Sequence, residues 1–117
     1  MSIQIESLSY TYMENTPLSH TALHDVSLTI AEGAFTAIAG ETGAGKSTLM
    51  SILFGLYHAD GGTIKVHGKE AAVKNPNDAT RLGISMVHQH FQLVRNFTVT
   101  ENIILGNEGA FVLHRRE

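Results

Sequence analysis

"AGETGAGKSTLM", residues Ala39 to Met50, follows the short apolar stretch "AFTAIA" and opens a run in which Leu49, Ile52, Leu53 and Leu56 fall at helical spacing. Gly40, Gly45, Lys46 and Ser47 satisfy G-x-x-x-x-G-K-[ST], the pattern of a phosphate-binding loop. Glycines let such a backbone curl so that successive N–H groups face phosphate oxygens, and the following helix adds the positive end of its dipole. Lys46 is placed to reach the β- and γ-phosphates and the Ser47 hydroxyl to ligate Mg²⁺. A strand, a glycine loop and a helix in that order restrict the fold more than any other stretch of the chain.

The surrounding segments extend this reading. Ile3, Ile5 and Leu8 open a strand that Tyr10 and Tyr12 continue, and "MENTPLSH" is a surface loop. Val26, Leu28 and Ile30 alternate, so "HDVSLTI" is a half-buried strand ending at the Glu32-Gly33 turn. "AFTAIA" is apolar on both faces, which predicts a central strand of a parallel sheet covered on both sides. "HADGGTIKVHG" reads as turn, strand and turn. Asn75 followed by Pro76 starts a helix that Gly83 closes, "ISMVHQ" is a further strand, and Thr98 with Glu101 forms a capping box before "NIILG". The order is β-rich first and α/β afterwards.

Composition removes several classes. The 117 residues fit one domain, with 43% hydrophobic and 16% charged residues, as in an ordinary globular protein. Eight Lys and Arg against eleven Asp and Glu give a net charge of -3, which argues against a nucleic-acid partner. The absence of cysteine leaves no disulfide framework or thiolate site. No apolar run is long enough for a membrane span, and "MSIQIES" lacks the features of a signal peptide; a cytoplasmic protein is expected.

The second half narrows the class. "MVHQHFQLVRNFTVTENIILGNE", Met86 to Glu108, resembles the Q-loop region of ABC transporter ATPases, especially those of nucleoside and simple-sugar importers. "SILFGLYHADGGTIKVHGKE" and "KNPNDATRLGI" are similar to the same family. The head, "SYTYMENTPLSHTALHDVSLTI", resembles the ATPases of energy-coupling factor vitamin importers, and "GETGAGKST" is intermediate between the two groups.

The resemblance implies a P-loop NTPase of ABC type, an α/β fold of which this chain is the N-terminal half: β-subdomain strands in 1–33, the P-loop to Q-loop core in 34–90, and the start of a helical subdomain in 91–117. It implies ATP and Mg²⁺ as ligands. Gly40, Glu41, Thr42, Gly43, Ala44, Gly45, Lys46, Ser47 and Thr48 would hold the phosphates, and Tyr12 would stack on adenine. Gln89 would be the Q-loop glutamine, approaching Mg²⁺ and the attacking water. A transmembrane permease subunit would dock on "HFQLVRNFTV", a second ATP-binding domain would complete a dimer, and the protein would sit peripherally on the cytoplasmic face of the membrane.

Plainer readings stand beside these. Tyr12 can be a strand aromatic covering apolar surface, and Tyr10 can be the stacking residue. His88 and His90 share a strand face but no third ligand stands near them, so a metal pair is not expected. The family's signature, its apolar strand ending in Asp-Glu and its switch histidine have no counterpart here. Little hydrolysis by this chain alone is therefore expected, along with uncovered sheet edge and apolar helix surface. Two rival functions are a non-hydrolysing module that docks on the permease and a P-loop kinase or GTPase.

Overall fold

The computed structural model describes residues 1–88 and 93–105. The chain divides into two compact units after Met86, and each has its own logic.

The first unit is built on a four-stranded antiparallel sheet in the order β2-β1-β3-β4. Its strands are β1 (Ile3–Tyr12), β2 (His20–Ile30), β3 (Gly61–Val66) and β4 (Lys69–Glu70). Helix α1 (Lys46–Leu53) follows the glycine loop, and α2 (Pro76–Arg81) follows the sheet. β2 begins four residues before the expected "HDVSLTI" segment, because the antiparallel ladder continues through Tyr12↔His20.

The apolar alternation of β1 changes phase between Ile5 and Leu8, and the structure shows how the sheet absorbs the change. Ser7 takes a left-handed φ of 51° and the register with β2 shifts between Ile5 and Leu8. A bulge adds one residue to a strand and restores the later side chains to the face of the earlier ones. Ile3, Ile5 and Leu8 are consequently all buried, and Tyr10 packs against the same core. β2 does likewise at Asp25, φ 49°, between Leu23 and the Val26, Leu28, Ile30 series. Two side chains brace the bulges: the Ser7 N–H donates to Ser27 Oγ at 2.8 Å, and the Asp25 N–H to Ser9 Oγ at 3.0 Å.

Leu49, Ile52 and Leu53 of α1, Ile64 and Val66 of β3, Ala79 of α2 and Ile84 beyond it complete the core. α2 starts as its sequence dictates: Asn75 Oδ1 accepts from the Asp78 N–H at 3.0 Å, Pro76 follows, and Gly83 ends the turn with φ 83°.

Two expected strands do not form. Residues 34–39 and 84–88 join no ladder among the described residues, and Phe35 and Val87 are almost wholly exposed. A strand apolar on both faces is stable only between neighbours that take up its N–H and C=O groups, and no described strand lies beside either segment. Both segments are thus unpaired among the described residues; 34–39 is exposed throughout, whereas Ile84 still reaches the core of the first unit.

In the second unit, α3 (Val99–Ile104) begins with the expected capping box: Thr98 Oγ1 accepts from the Glu101 N–H, and the Glu101 carboxylate accepts from the Thr98 N–H at 2.7 Å. That bond holds the Glu101 carboxyl below its ordinary value. Because the folded value is depressed, the contribution is present above the ordinary carboxylate range and is lost as pH falls through the folded value. Asn102 ties the preceding loop to the helix, its amide donating to the carbonyls of Val94, Phe97 and Thr98.

The contrast between core and uncovered side chains is measurable. Leu8→Ala, at a position only 1% exposed, should cost about 2–5 kcal/mol in urea unfolding. Phe35→Ser should leave stability within about 0.5 kcal/mol while reducing concentration-dependent association in sedimentation.

Candidate nucleotide-binding site

The loop Gly40–Gly45 leaves the uncovered segment 34–39 and enters α1 through a left-handed Gly45, φ 87°. Gly45 is confined by sterics as well as by dihedral. A Cβ there would stand 2.5 Å from the Ala22 carbonyl oxygen and 2.9 Å from Leu23 Cδ2, so only a hydrogen lets the loop rest on β2. Gly43 also has a left-handed φ, 86°, but open space around it. The two glycines turn the loop, and Gly45 also fixes where it lies.

No side chain caps α1, and its first turn contains no acidic residue. The positive end of the helix is left to face the loop it follows. Lys46, the first helical residue, folds back across that loop: its ammonium donates to the Gly40 carbonyl at 2.6 Å and the Glu41 carbonyl at 2.7 Å. A Cβ on Gly40 would lie 3.2 Å from Ala44 Cβ, a tight approach, and 3.8 Å from Lys46 Nζ, an ordinary contact. Glu41, Thr42, Gly43, Ala44 and Ser47 are exposed around the lysine.

Thr48 is buried, and its Oγ1 is 2.7 Å from the Tyr12 hydroxyl. This bond brings the end of β1 to the first turn of α1. Of the residues singled out from the sequence, the structure therefore gathers Tyr12, Thr48, Lys46 and the glycine loop into one region. Gln89 and His90 lie outside the described residues. No group of three or more His, Cys, Asp or Glu side chains able to hold a metal is found among the described residues.

Two residues around Tyr12 had no signal in the sequence. Tyr57 stacks on Tyr10 with centroids 5.5 Å apart and planes 8° apart, and meets Tyr12 edgewise at 5.8 Å and 89°. Tyr10 and Tyr12 are themselves edge-on at 4.9 Å and 86°. Desolvation in this cluster, with the neighbouring Tyr12, Tyr57 and Asp60 adding to it, pushes the Tyr10 phenol above its ordinary value. Asp60 Oδ2 accepts from the Thr11 N–H at 2.7 Å, holding the backbone between the two strand tyrosines. Local periodicity does not report contacts made across about fifty residues.

A G-x-x-x-x-G-K-[ST] loop that enters the N-terminus of a helix is the phosphate loop of P-loop NTPases, and comparison with known proteins gives the branch. The family model described as ABC transporter matches residues 23–117. The chain is 55% identical over 84 residues to the guanosine import ATP-binding protein NupO of Bacillus subtilis (strain 168), covering 72% of this chain and 16% of that protein. It is 57% identical over 83 residues to the nucleoside import ATP-binding protein NupA of Lactococcus lactis subsp. cremoris (strain MG1363), covering 71% and 16%. With the ribose import ATP-binding protein RbsA of Shouchella clausii (strain KSM-K16) the identity is 41% over 108 residues, covering 92% and 21%. The chain thus spans about a sixth to a fifth of the length of these relatives. Among solved structures it is similar to a nucleotide-free ATP-binding cassette from an ABC transporter, with TM-score 0.77 and 31% identity over 91% of this chain and 40% of that one. It is also similar to a dimeric ATP-binding cassette in a post-hydrolysis state bound to ADP and Pi, with TM-score 0.72 and 28% identity over 88% and 45%. The chain belongs to the ABC transporter family.

The two glycines should separate in a stability measurement. Gly43→Ala introduces only the strain of a left-handed alanine, about 1–2 kcal/mol. Gly45→Ala adds the collision with Ala22 and Leu23, and should cost about 2–5 kcal/mol in urea unfolding. Equal losses would contradict the seating of the loop on β2.

Proposed function

We propose that this chain is the ATP-binding portion of the nucleotide-binding subunit of an ABC importer, one that takes up a nucleoside or a simple sugar. The observation that carries the proposal is the Lys46 ammonium held by the Gly40 and Glu41 carbonyls at the uncapped start of α1. That arrangement concentrates N–H donors and one cation on a site for a polyphosphate. The importer assignment is supported by the printed functions of the relatives, guanosine, nucleoside and ribose import.

In this reading Gly40 through Thr48 wrap the phosphates and Lys46 neutralises the β- and γ-phosphoryl oxygens. Nucleotide entry exchanges the lysine's two carbonyl partners for charged ones, which are stronger acceptors. Tyr12 stacks on adenine from the strand end that its hydroxyl ties to Thr48. Mg²⁺ is a hard cation that takes oxygen ligands, and the exposed hydroxyl of Ser47 on the first turn of α1 suits it; Gln89, outside the described residues, would be the second protein group. When bound, the ion neutralises charge on the β- and γ-oxygens. Residues 1–33 supply sheet strands, 34–90 the loop-to-glutamine core, and 91–117 the opening of a helical subdomain.

Hydrolysis belongs, on this reading, to the assembled protein, where a second ATP-binding domain closes over the nucleotide and a permease subunit receives the motion. The surface that would meet the permease is supported by a shallow groove of about 400 Å³ in the second unit, lined by Leu93, Phe97, Val99 and Ile103 among others. Val99 and Ile103 are largely exposed, as an apolar docking surface requires. No helix among the described residues is long and apolar enough to cross a membrane, and membrane attachment through the permease at the cytoplasmic face accords with that.

Calorimetric titration with MgATP tests the proposal. The chain should bind ATP, and Lys46→Ala should weaken binding by about 10- to 100-fold, the loss of charge-assisted bonds to phosphate. An affinity unchanged by Lys46→Ala, or a clear preference for GTP, would overturn the assignment.

A further inference from the structure

We propose that Tyr57 is a positioning residue for the base of the nucleotide, fixing the ring of Tyr12 from the far end of helix α1. The proposal rests on the reading of Tyr12 as the adenine-stacking ring and adds to it the part that holds that ring in place.

Tyr12 is the last residue of β1, beside a loop. A ring in that position gains stacking energy only if its orientation is set before the base arrives; otherwise the rotamer freedom is lost on binding. Three contacts set it: the Tyr12 hydroxyl on Thr48 Oγ1, the edge-on approach of Tyr10, and the edge-on approach of Tyr57. Tyr57 acts on both strand rings, since it also lies parallel to Tyr10.

Tyr57 is anchored in turn by the end of α1. The Ser51 carbonyl accepts from the N–H groups of Leu56 at 2.8 Å and Tyr57 at 3.3 Å, which fixes the backbone just beyond the helix. Three residues on, the Asp60 carboxylate takes the Thr11 N–H, and the Asp60 N–H donates to the Ser9 carbonyl at 2.9 Å. The connector 57–60 therefore grips β1 by backbone on either side of Tyr10 and by ring at Tyr12. Helix α1 thereby meets the base-binding strand twice, through Thr48 in its first turn and through Tyr57 after its last. A shift of the phosphate helix would be passed to the ring, and Tyr57 is the half of that linkage with no phosphate to touch.

The experiment compares the affinities of the full chain for MgATP and for Mg-tripolyphosphate, which presents phosphates without a base. Tyr57→Leu should weaken MgATP about fivefold, the worth of an aromatic pair, and leave tripolyphosphate within about twofold. Tyr57→Phe keeps the ring and should restore wild-type ATP affinity. Tyr57→Met, a second ringless variant of similar bulk, serves if Tyr57→Leu does not fold, and should show the same selective loss. Equal weakening of both ligands would reduce Tyr57 to a structural residue, and an unchanged ATP affinity would remove its role altogether; either overturns the proposal. Tyr12→Leu separates the two levels. If it abolishes the preference for ATP while the ringless Tyr57 variants do not, the base reading stands and the Tyr57 proposal falls. If Tyr12→Leu leaves the preference intact, the base reading fails and takes the Tyr57 proposal with it.

Discussion

The contact between Gly45 and the backbone of β2 is the constraint on which the site depends. A hydrogen in place of a side chain lets the loop lie against the Ala22 carbonyl and Leu23, and the left-handed φ there turns the chain into α1. Where the loop lies then determines where the helix starts, and the helix start determines where Lys46 and Thr48 stand. The sheet under the loop is antiparallel and continuous across β2, β1 and β3, so the glycine loop and α1 rest on a scaffold the described residues build themselves. The adjoining segment 34–39 contributes no such support, because it pairs with nothing among the described residues.

Much of this architecture was legible in the residues because it is set locally. The pattern of Gly40, Gly45, Lys46 and Ser47 located the loop, and Asn75-Pro76 and Thr98 with Glu101 located two helix starts, each of which the structure shows with its side-chain cap. The apolar series Ile3, Ile5, Leu8 was read as one strand despite its phase change, and the bulge at Ser7 accounts for it. What escaped was non-local. "AFTAIA" and "ISMVHQ" carry strand composition, yet a ladder is a property of two segments, and composition reports only one. Tyr57 and Asp60 carry no distinguishing pattern of their own; their meaning comes from β1, which lies far away in sequence.

Identity is 55–57% over stretches of 83 and 84 residues in two nucleoside import proteins and 41% over 108 residues in a ribose import protein. The family model begins at residue 23, within β2, while the solved cassettes resemble the chain over 88–91% of its length at about 30% identity. Within this backbone the Tyr10, Tyr12 and Tyr57 cluster is held from both β1 and α1, whereas Gly45 seats the loop on β2.

The account stands or falls on whether a triphosphate seats in the loop through its backbone donors. Amide resonances of the isotope-labelled chain, followed while MgATP is added, test this residue by residue. The account predicts that the largest shifts fall on the N–H groups of Gly43, Gly45, Lys46 and Ser47, with smaller ones at Tyr12 and Thr48 and little change in β3 and β4. Shifts concentrated elsewhere, or none along Gly40 to Thr48 at saturating nucleotide, would contradict it.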